Sequence, residues 1–232
     1  MLSAVAMPVP ALETLAAQHG AEHLSALQVV QTMVEQFGPR IALACSFQKE
    51  ETVLLDMLLT IDPKAHVFAL DTGVLFPETY AAWRATEQRY GITIEAVSGP
   101  SLGYQAAANG EQLWETNPNL CCAIRKVEPL TRKLATVDAW IVGIRRDQSP
   151  TRANAQKIAW DESFEIWKAA PLADWSDDAV WDYIREHDLP TNALHAQGYS
   201  SIGCTYCTKP GSGREGRWAG NEKTECGLHK PA

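Results

Sequence analysis

The stretch IALACSFQKE (residues 41–50) decides the fold, because it passes from an apolar run into a polar turn that opens a helix. Residues 41–45 predict a short buried strand, and the helix is predicted from about residue 51 to residue 61. Unpaired backbone N–H groups at such a helix start can bind an anion. The turn lacks the glycines and the Gly-Lys-Ser/Thr ending of a Walker A loop. From this stretch alone, an ordinary strand–helix turn is an equal alternative to a ligand-binding turn.

Strands and helices keep alternating through the next hundred residues. Further strands are predicted at residues 66–70, 92–97 and 139–144, with helices at residues 77–90 and 121–135. This alternation predicts an α/β fold with a mostly parallel sheet and helices on both faces.

The triplet Asp71-Thr72-Gly73 directly follows the second of these strands. Ligands of open α/β sheets bind beyond the carboxyl ends of the strands. Asp71 would there accept a hydrogen bond from a ribose or an amine, and the backbone of Leu70 would face an adenine edge. A turn with a helix N-cap explains the triplet equally well.

The segments on either side of this alternation have other patterns. Residues 11–37 repeat Leu and Val at helical spacing, which predicts one or two helices that end at Gly38-Pro39. Beyond residue 144, a short hairpin is predicted at residues 157–160 and 165–167. A helix capped by Asp174 or Ser176 follows and runs to residue 187.

The chain is accordingly divided into three parts. Residues 1–38 are an N-terminal helical segment, residues 39–199 are an α/β nucleotide-binding domain, and residues 200–232 are a tail that closes over the open end of the sheet. Gly and Pro are dense in the tail, so regular structure is not predicted there.

Composition limits the classes of function. The 232 residues carry a net charge of −8, which argues against a general nucleic-acid binder. No apolar run reaches the roughly 20 residues that span a bilayer, so no membrane segment is expected. The first ten residues lack the basic start of a signal peptide, which favours the reducing cytoplasm. Six cysteines in that compartment suggest metal binding or catalysis rather than disulfides.

Four of the cysteines form two close pairs. Cys121 and Cys122 are adjacent, and Cys204 and Cys207 form a Cys-x-x-Cys motif. Both zinc and a 4Fe–4S cluster accept four thiolates, and the spacing does not choose between them. Arg125-Lys126 would offset the negative charge of such a centre.

The two remaining cysteines differ in their surroundings. Cys226 is preceded by Lys223 and followed by His229, basic groups that lower a thiol pKa and so suit a nucleophile. Cys45 ends a predicted core strand and is expected to be buried and inert. Arg214 and Arg217 lie in a glycine-rich loop and have the geometry to bind phosphate or sulfate, although a solvated loop is the alternative.

Seven motifs together resemble one family, the assimilatory sulfonucleotide reductases, and within it the bacterial adenosine 5′-phosphosulfate (APS) reductases. The resemblance extends over about residues 40–230. The motifs are SFQKEETVLLDML (46–58), LDTGVLFPETY (70–80), CCAIRKVEPL (121–130), GIRRDQSPTR (143–152), DWSDDAVWDYI (174–184), GCTYCTKP (203–210) and KTECGLH (223–229).

This resemblance implies a PP-loop fold of the adenine nucleotide alpha hydrolase-like type. It also implies reduction of APS to sulfite and AMP, with thioredoxin as the electron donor, and it leaves a homo-oligomer open. Cys226 would be the nucleophile and would form an S-sulfonate. A [4Fe-4S] cluster would be bound by Cys121, Cys122, Cys204 and Cys207. The phosphosulfate would be surrounded by Lys126, Arg214, Arg217 and His229, and the adenosine by Ser46, Phe47, Gln48, Leu70, Asp71, Thr72, Gly143 and Arg145.

Three other functions compete with this hypothesis. The first is a 3′-phosphoadenosine 5′-phosphosulfate (PAPS) reductase, a group that shares ECGLH but usually lacks the four paired cysteines. The second is an ATP-using PP-loop enzyme that thiolates tRNA, against which the net charge of −8 argues. The third is a nucleotide-binding module stapled by zinc, which would leave Cys226 unexplained.

Overall fold

A computed structural model describes residues 12–17, 20–218, 223 and 225–229, and its centre is one six-stranded sheet. The strand order is β3-β2-β1-β4-β6-β5. The first five strands in this order are parallel, and β5 pairs antiparallel with β6 at the edge. The strands are β1 (Ile41–Ala44), β2 (His66–Asp71), β3 (Glu95–Ser98), β4 (Ala139–Ile141), β5 (Ile158–Asp161) and β6 (Ile166–Ala169).

Helices cover both faces of this sheet, as the alternating pattern predicts. They are α1 (Leu12–Ala17), α2 (Ala26–Phe37), α3 (Lys49–Ile61), α4 (Pro77–Tyr90), α5 (Leu102–Asn109), α6 (Leu113–Thr116), α7 (Pro118–Cys122), α8 (Glu128–Leu134) and α9 (Asp177–Glu186). No helix in the described part of the chain is both long and apolar enough to cross a bilayer.

Alternate residues of the strands feed two cores, one on each face. Ile41, Leu43 and Ile141 pack into the larger core with α2, α3 and α9. Ala42 and Trp140 point the other way, into the core under α8. This two-residue period is the geometry of a strand buried on both faces, and it explains the continuous apolar runs in the sequence.

Most predicted elements are confirmed, with shifted ends. The strand predicted at residues 92–97 begins at Glu95, and the one predicted at residues 139–144 ends at Ile141. Ser176, rather than Asp174, caps α9 by accepting a hydrogen bond from Ala179 N–H. The hairpin forms as predicted, but it also joins the main sheet through β6. The helices α5 and α6 were not predicted, since residues 98–120 show no clear apolar period.

The helix predicted at residues 121–135 is interrupted. Residues Ala123–Val127 form a π-helical turn between α7 and α8, with i→i+5 hydrogen bonding. Such turns insert one extra residue into a helix and are frequent at functional sites. This turn carries Arg125 and Lys126, both buried.

The tail is held by isolated contacts rather than by long elements. Thr205 N–H donates to the carbonyl of Val74, and Leu75 forms an antiparallel bridge with Cys204. A second bridge joins Thr208 to Arg217. The described part of the tail therefore lies against the loop after β2, while the domain boundaries at residues 38 and 199 stay a prediction.

Candidate active site

A cavity of about 430 Å³ opens at the carboxyl ends of β1, β2 and β4. The strand order runs outward from β1 in one direction to β2 and β3, and in the other to β4 and β6, so the cavity lies at the topological switch point. Open α/β sheets bind their ligands at this position. The tail supplies the opposite wall through residues 200–203, 212–214, 217, 226, 228 and 229.

Nearly all the predicted substrate-binding residues line this cavity together with Cys226. They are Ser46, Phe47, Gln48, Leu70, Thr72, Lys126, Gly143, Arg145, Arg214, Arg217 and His229. Asp71 is the exception. Its carboxylate accepts hydrogen bonds from Gly73 N–H at 2.8 Å and Tyr80 Oη at 2.7 Å, so it shapes the turn after β2 outside the cavity wall.

The turn after β1 has a constrained backbone. Phe47 has a φ of 59°, a left-handed conformation that a bulky residue rarely adopts. Its ring stacks on Trp83 with the ring centroids 4.9 Å apart, and the residue is almost fully buried. Strain of this kind persists where the surrounding structure fixes it, and it is frequent at ligand sites.

Gln48 links this turn to the tail. Its Oε1 accepts a hydrogen bond from Ile202 N–H at 2.6 Å, and its Nε2 donates to Ser46 Oγ at 3.1 Å. Ser46 Oγ in turn donates to Glu51 Oε2 at 2.8 Å. Because both ends of the Gln48 amide are engaged, the residue holds the two walls of the cavity together.

Arg145 is enclosed by carboxylates at the same end of the cavity. It is 3% exposed, and its guanidinium donates to Glu50 at 3.0 Å, to both oxygens of Asp147 and to Asp177 at 2.7 Å. Lys49 also pairs with Asp177. This network ties the end of β4 to the starts of α3 and α9.

Gly143 is required at this end by close approach. A Cβ on Gly143 would lie 2.5 Å from Glu51 Oε1 and 2.8 Å from Glu50 Cβ. Burial and the neighbouring Glu50 charge raise the pKa of Glu51 to about 8. A neutral, hydrogen-bonding Glu51 carboxyl therefore lies beside this backbone at neutral pH.

Cations gather at the other end, under the tail. Arg217 donates to Ser201 Oγ at 3.2 Å and to the Ile202 carbonyl at 3.3 Å, and its guanidinium lies where a Cβ on Gly203 would be. Lys126 is buried beside it. Among the described residues, no carboxylate pairs with Lys126 or with Arg217.

Cys226 lies among these cations, and it is buried. Burial alone would raise the pKa of the Cys226 thiol, but the charges of Lys126 and Arg217 outweigh it and hold the pKa below its usual value. The thiols Cys204 and Cys226 in turn raise the pKa of Lys126 against its burial. This is the microenvironment of a reactive thiolate.

His229 lies beside Trp140 on the cavity wall. The two rings are roughly parallel, with their centroids 5.4 Å apart. Burial lowers the pKa of His229 well below its usual value, and nearby Arg152 and Lys168 act in the same direction. A neutral imidazole is therefore present at pH 7, and its buried Nδ1 meets no hydrogen-bond partner in the described part of the chain.

Cys45 shows the contrast with Cys226. It is 4% exposed, and burial raises the pKa of its thiol far above the usual range. The prediction that Cys45 is a buried, inert residue is confirmed in its burial.

The four paired cysteines surround a separate small cavity next to Lys126. Its wall also includes Val74, Trp114 and Arg125. Burial raises the pKa of Cys121 to about 11, and the neighbouring thiols add to this shift. Cys204 Sγ lies 3.3 Å from Thr72 Oγ1. Within the described ranges, no three His, Cys, Asp or Glu side chains converge closely enough to hold a single metal ion.

Several cavity residues were not singled out from the sequence. Glu50, Glu51 and Arg152 lie within resembling motifs, but no pattern marks them individually. Trp140 lies inside an apolar run and is predicted only as a core residue. All four line the cavity.

Known proteins are similar to this chain over most of its length. Residues 40–210 match the model of the phosphoadenosine phosphosulfate reductase domain family. Adenosine 5′-phosphosulfate reductase 2 of Bacillus subtilis is 48% identical over 88% of this chain and 89% of that protein.

Two solved structures show the same fold. The crystal structure of PAPS reductase from Candida auris in a phosphate complex has a TM-score of 0.74 and 29% identity, over 89% of this chain and all of that chain. Candida glabrata FMN adenylyltransferase has a TM-score of 0.58 and 17% identity, over 80% of this chain and 63% of that chain. The second likeness concerns the fold alone. The family match and the first structure support the PP-loop, adenine nucleotide alpha hydrolase-like fold that the sequence motifs imply.

Proposed function

The chain belongs to the phosphoadenosine phosphosulfate reductase domain family, and from this premise we propose that it reduces APS to sulfite and AMP. One observation carries the proposal: the activated thiol Cys226 opens into a nucleotide-sized cavity between Lys126 and Arg217. Relatives that are 44–48% identical over most of the chain bear the name of an APS reductase.

The first step is attack by the Cys226 thiolate on the sulfur of the substrate's sulfate group. A sulfur–sulfur bond forms, the bond from sulfur to the bridging oxygen breaks, and AMP leaves with that electron pair. Cys226 then carries an S-sulfonate. This step needs no external reductant.

The second step requires a dithiol from outside, for which we propose thioredoxin in a reducing cytoplasm. One thiolate of the dithiol attacks the Cys226 sulfur, and sulfite leaves with the electron pair of the broken bond. The second thiol of the reductant then displaces Cys226. The dithiol is oxidised to a disulfide, and the enzyme thiolate is restored.

Charge explains why the attack proceeds in this cavity. A thiolate and a phosphosulfate repel each other, so the transition state needs cations around the sulfate and α-phosphate oxygens. Lys126, Arg214 and Arg217 line the wall beside Cys226. We propose that they bind these oxygens, and that the tail aligns the thiol with the sulfur.

The four paired cysteines fit the ligand set of a [4Fe-4S] cluster. A cluster binds one thiolate at each of four irons, so it suits thiols spread around a cavity more than thiols that converge on one ion. Two buried indole N–H groups, of Trp114 and Trp218, have no hydrogen-bond partner in the described structure, and they lie beside these thiols. When bound, the cluster would supply metal-centred charge next to Lys126. We therefore propose the cluster rather than zinc.

An anaerobic assay of APS against PAPS with thioredoxin tests the function. We expect AMP and sulfite in equal amounts and a larger kcat/KM for APS. A clearly larger kcat/KM for PAPS would assign the chain to the other branch of its family, and no turnover of either would refute the proposed activity.

Iron analysis of anaerobically purified protein tests the cofactor separately. We expect about four irons per chain and a brown protein. Stoichiometric zinc without iron would refute the cluster.

A further inference from the structure

Glu225 directly precedes Cys226 and takes no part in the two proposed reaction steps. Its carboxylate accepts hydrogen bonds from Arg214 Nη2 at 2.8 Å and from Arg152 Nε at 3.2 Å. Thr151 Oγ1 donates to it at 3.2 Å. The Glu225 side chain is only 14% exposed, so this is a largely desolvated ion pair.

The donors around Glu225 form a set that suits an oxyanion. Two guanidinium groups and a hydroxyl bind the two oxygens of a carboxylate, and the same donors match those of a sulfate or phosphate. Arg152 and Arg214 both line the cavity. The carboxylate of the tail is therefore bound by side chains that also face the ligand space.

The arginines around Glu225 need a negatively charged partner, because they are buried close to one another. Burial lowers the pKa of Arg214 to about 10, and the charges of Arg152 and Arg217 add to this effect, while Glu225 opposes it. Removing the carboxylate without a replacement would leave buried like charges close together, which is costly. An arriving anion would replace the carboxylate at little electrostatic cost.

We propose that Glu225 is a positioning residue that occupies the oxyanion position of the empty enzyme, binding Arg152 and Arg214 until an anionic ligand displaces it. Cys226 is the next residue, with its Cα about 3.8 Å away. Displacing the carboxylate therefore moves the segment that carries the nucleophile, so anion binding and the position of Cys226 are coupled. That the displacing anion is a phosphosulfate rests on the proposed function, whereas the competition itself does not.

Coupling of this kind is reciprocal. If sulfate must displace Glu225, then removing the negative charge of Glu225 must tighten sulfate binding. A carboxylate that only braces the arginines for the ligand predicts the opposite, because its loss would leave them misplaced. The direction of the change in affinity therefore distinguishes the two roles.

Calorimetry with inorganic sulfate measures this direction on the full-length protein. We expect Glu225→Gln to bind sulfate about 5–10-fold more tightly than wild type. Glu215→Gln is the matched control, since Glu215 is an exposed acid of the neighbouring loop, and it should change the affinity less than about 2-fold. Equal or weaker binding by Glu225→Gln would overturn the proposal.

Alkylation of Cys226 by iodoacetamide, followed by peptide mass spectrometry, provides a second test that needs no variant. In wild type, sulfate should raise the labelling rate of Cys226, because it frees the tail. In Glu225→Gln the rate should be high without sulfate and change less than about 2-fold when sulfate is added. Sulfate that slows labelling in wild type would contradict the coupling.

Steady-state kinetics separates this inference from the proposed function. The outcomes of both sulfate experiments can be interpreted whether or not the protein turns over APS. If APS is a substrate, Glu225→Gln should lower KM and change kcat less than KM, since it removes a group that competes with the substrate for Arg152 and Arg214. An unchanged KM with a lowered kcat would indicate a structural role alone and would refute the displacement.

Discussion

The two ends of the cavity are organised in opposite ways. At the β1–β4 end, Arg145 is surrounded by carboxylates, and Gln48 uses both ends of its amide on the protein. At the tail end, Lys126 and Arg217 have no carboxylate partner among the described residues, and their neighbours are thiols. One end is electrostatically satisfied by the protein itself, whereas the other has an excess of positive charge.

This difference suits the two ends of the cavity to different roles, recognition of the nucleoside at one end and stabilisation of negative charge at the other. A satisfied network is rigid and suits the recognition of a neutral base and sugar by shape and backbone groups. An excess of buried cations is costly without a ligand, and it stabilises a thiolate and an arriving anion. We therefore expect substitutions at the tail end to affect chemistry, and substitutions at the β1–β4 end to affect folding.

The largest effect should follow from Cys226→Ser. The hydroxyl is a far weaker nucleophile, so turnover of APS should fall by at least about 10⁴-fold, while the cluster and APS binding are retained. Reaction of wild type with APS and no reductant should place one sulfonate on Cys226 with release of one AMP. Cys45→Ser, the control, should retain turnover, and a sulfonate found on Cys45 would show that the nucleophile is misassigned.

Cys204→Ser should also affect the tail end of the cavity, because it removes one of the four proposed cluster ligands. Loss of one of four thiolates should reduce iron from about four per chain to well below that number and loosen the tail against Val74. Iron analysis and limited proteolysis measure the two effects. Iron content equal to that of wild type would show that Cys204 is not a ligand.

Arg145→Ala should destabilise the β1–β4 end of the cavity. It would leave Glu50 buried beside Glu51 without its cation, which should lower the free energy of unfolding by about 3–5 kcal/mol. Arg185→Ala removes an exposed ion pair with Asp182 and should cost less than about 1 kcal/mol. Urea denaturation compares the two variants, and equal losses of stability would show that the buried Arg145 network contributes no more than an exposed ion pair.

The smallest effect should be the pH dependence of Glu51. Its pKa of about 8 in the folded chain lies above the ordinary value of 4.5, so the folded state binds the extra proton between these values. Stability should therefore fall as pH rises from about 5 to 8. Glu51→Gln should flatten this slope and gain about 1 kcal/mol or more at pH 8. Thermal melts at pH 5.5 and 8 measure it, and a slope as steep as in wild type would show that another group titrates.

The sequence predicted the two ends unequally well. Residues 41–45 and 66–70 are buried on both faces and therefore read as strands, and this was enough to place the cavity at their carboxyl ends. The tail has no period, so residue types alone indicated the chemistry of Arg214, Arg217 and Cys226. Their placement around the phosphosulfate depended on the resemblance to a family.

Contacts between distant segments were beyond sequence reasoning. Gln48 was expected to meet the adenosine, but its hydrogen bond to Ile202 spans 154 positions in the chain. Arg152 and Glu225 are likewise separated by 73 positions, and the sequence around each residue does not indicate the other as its partner. Contacts between side chains of distant loops depend on tertiary packing, which cannot be inferred from the local pattern of residues along the sequence.

The π-helical turn at Ala123–Val127 makes the site sensitive to chain length in a way that composition does not reveal. Its one extra residue sets the phase between the cysteine pair before it and the helix after it. Deleting a single residue there would allow regular α-helical bonding and would change the register of Cys121 and Cys122 relative to α8. Every side chain of the centre would still be present, but the thiols and α8 would no longer face the directions that they now share.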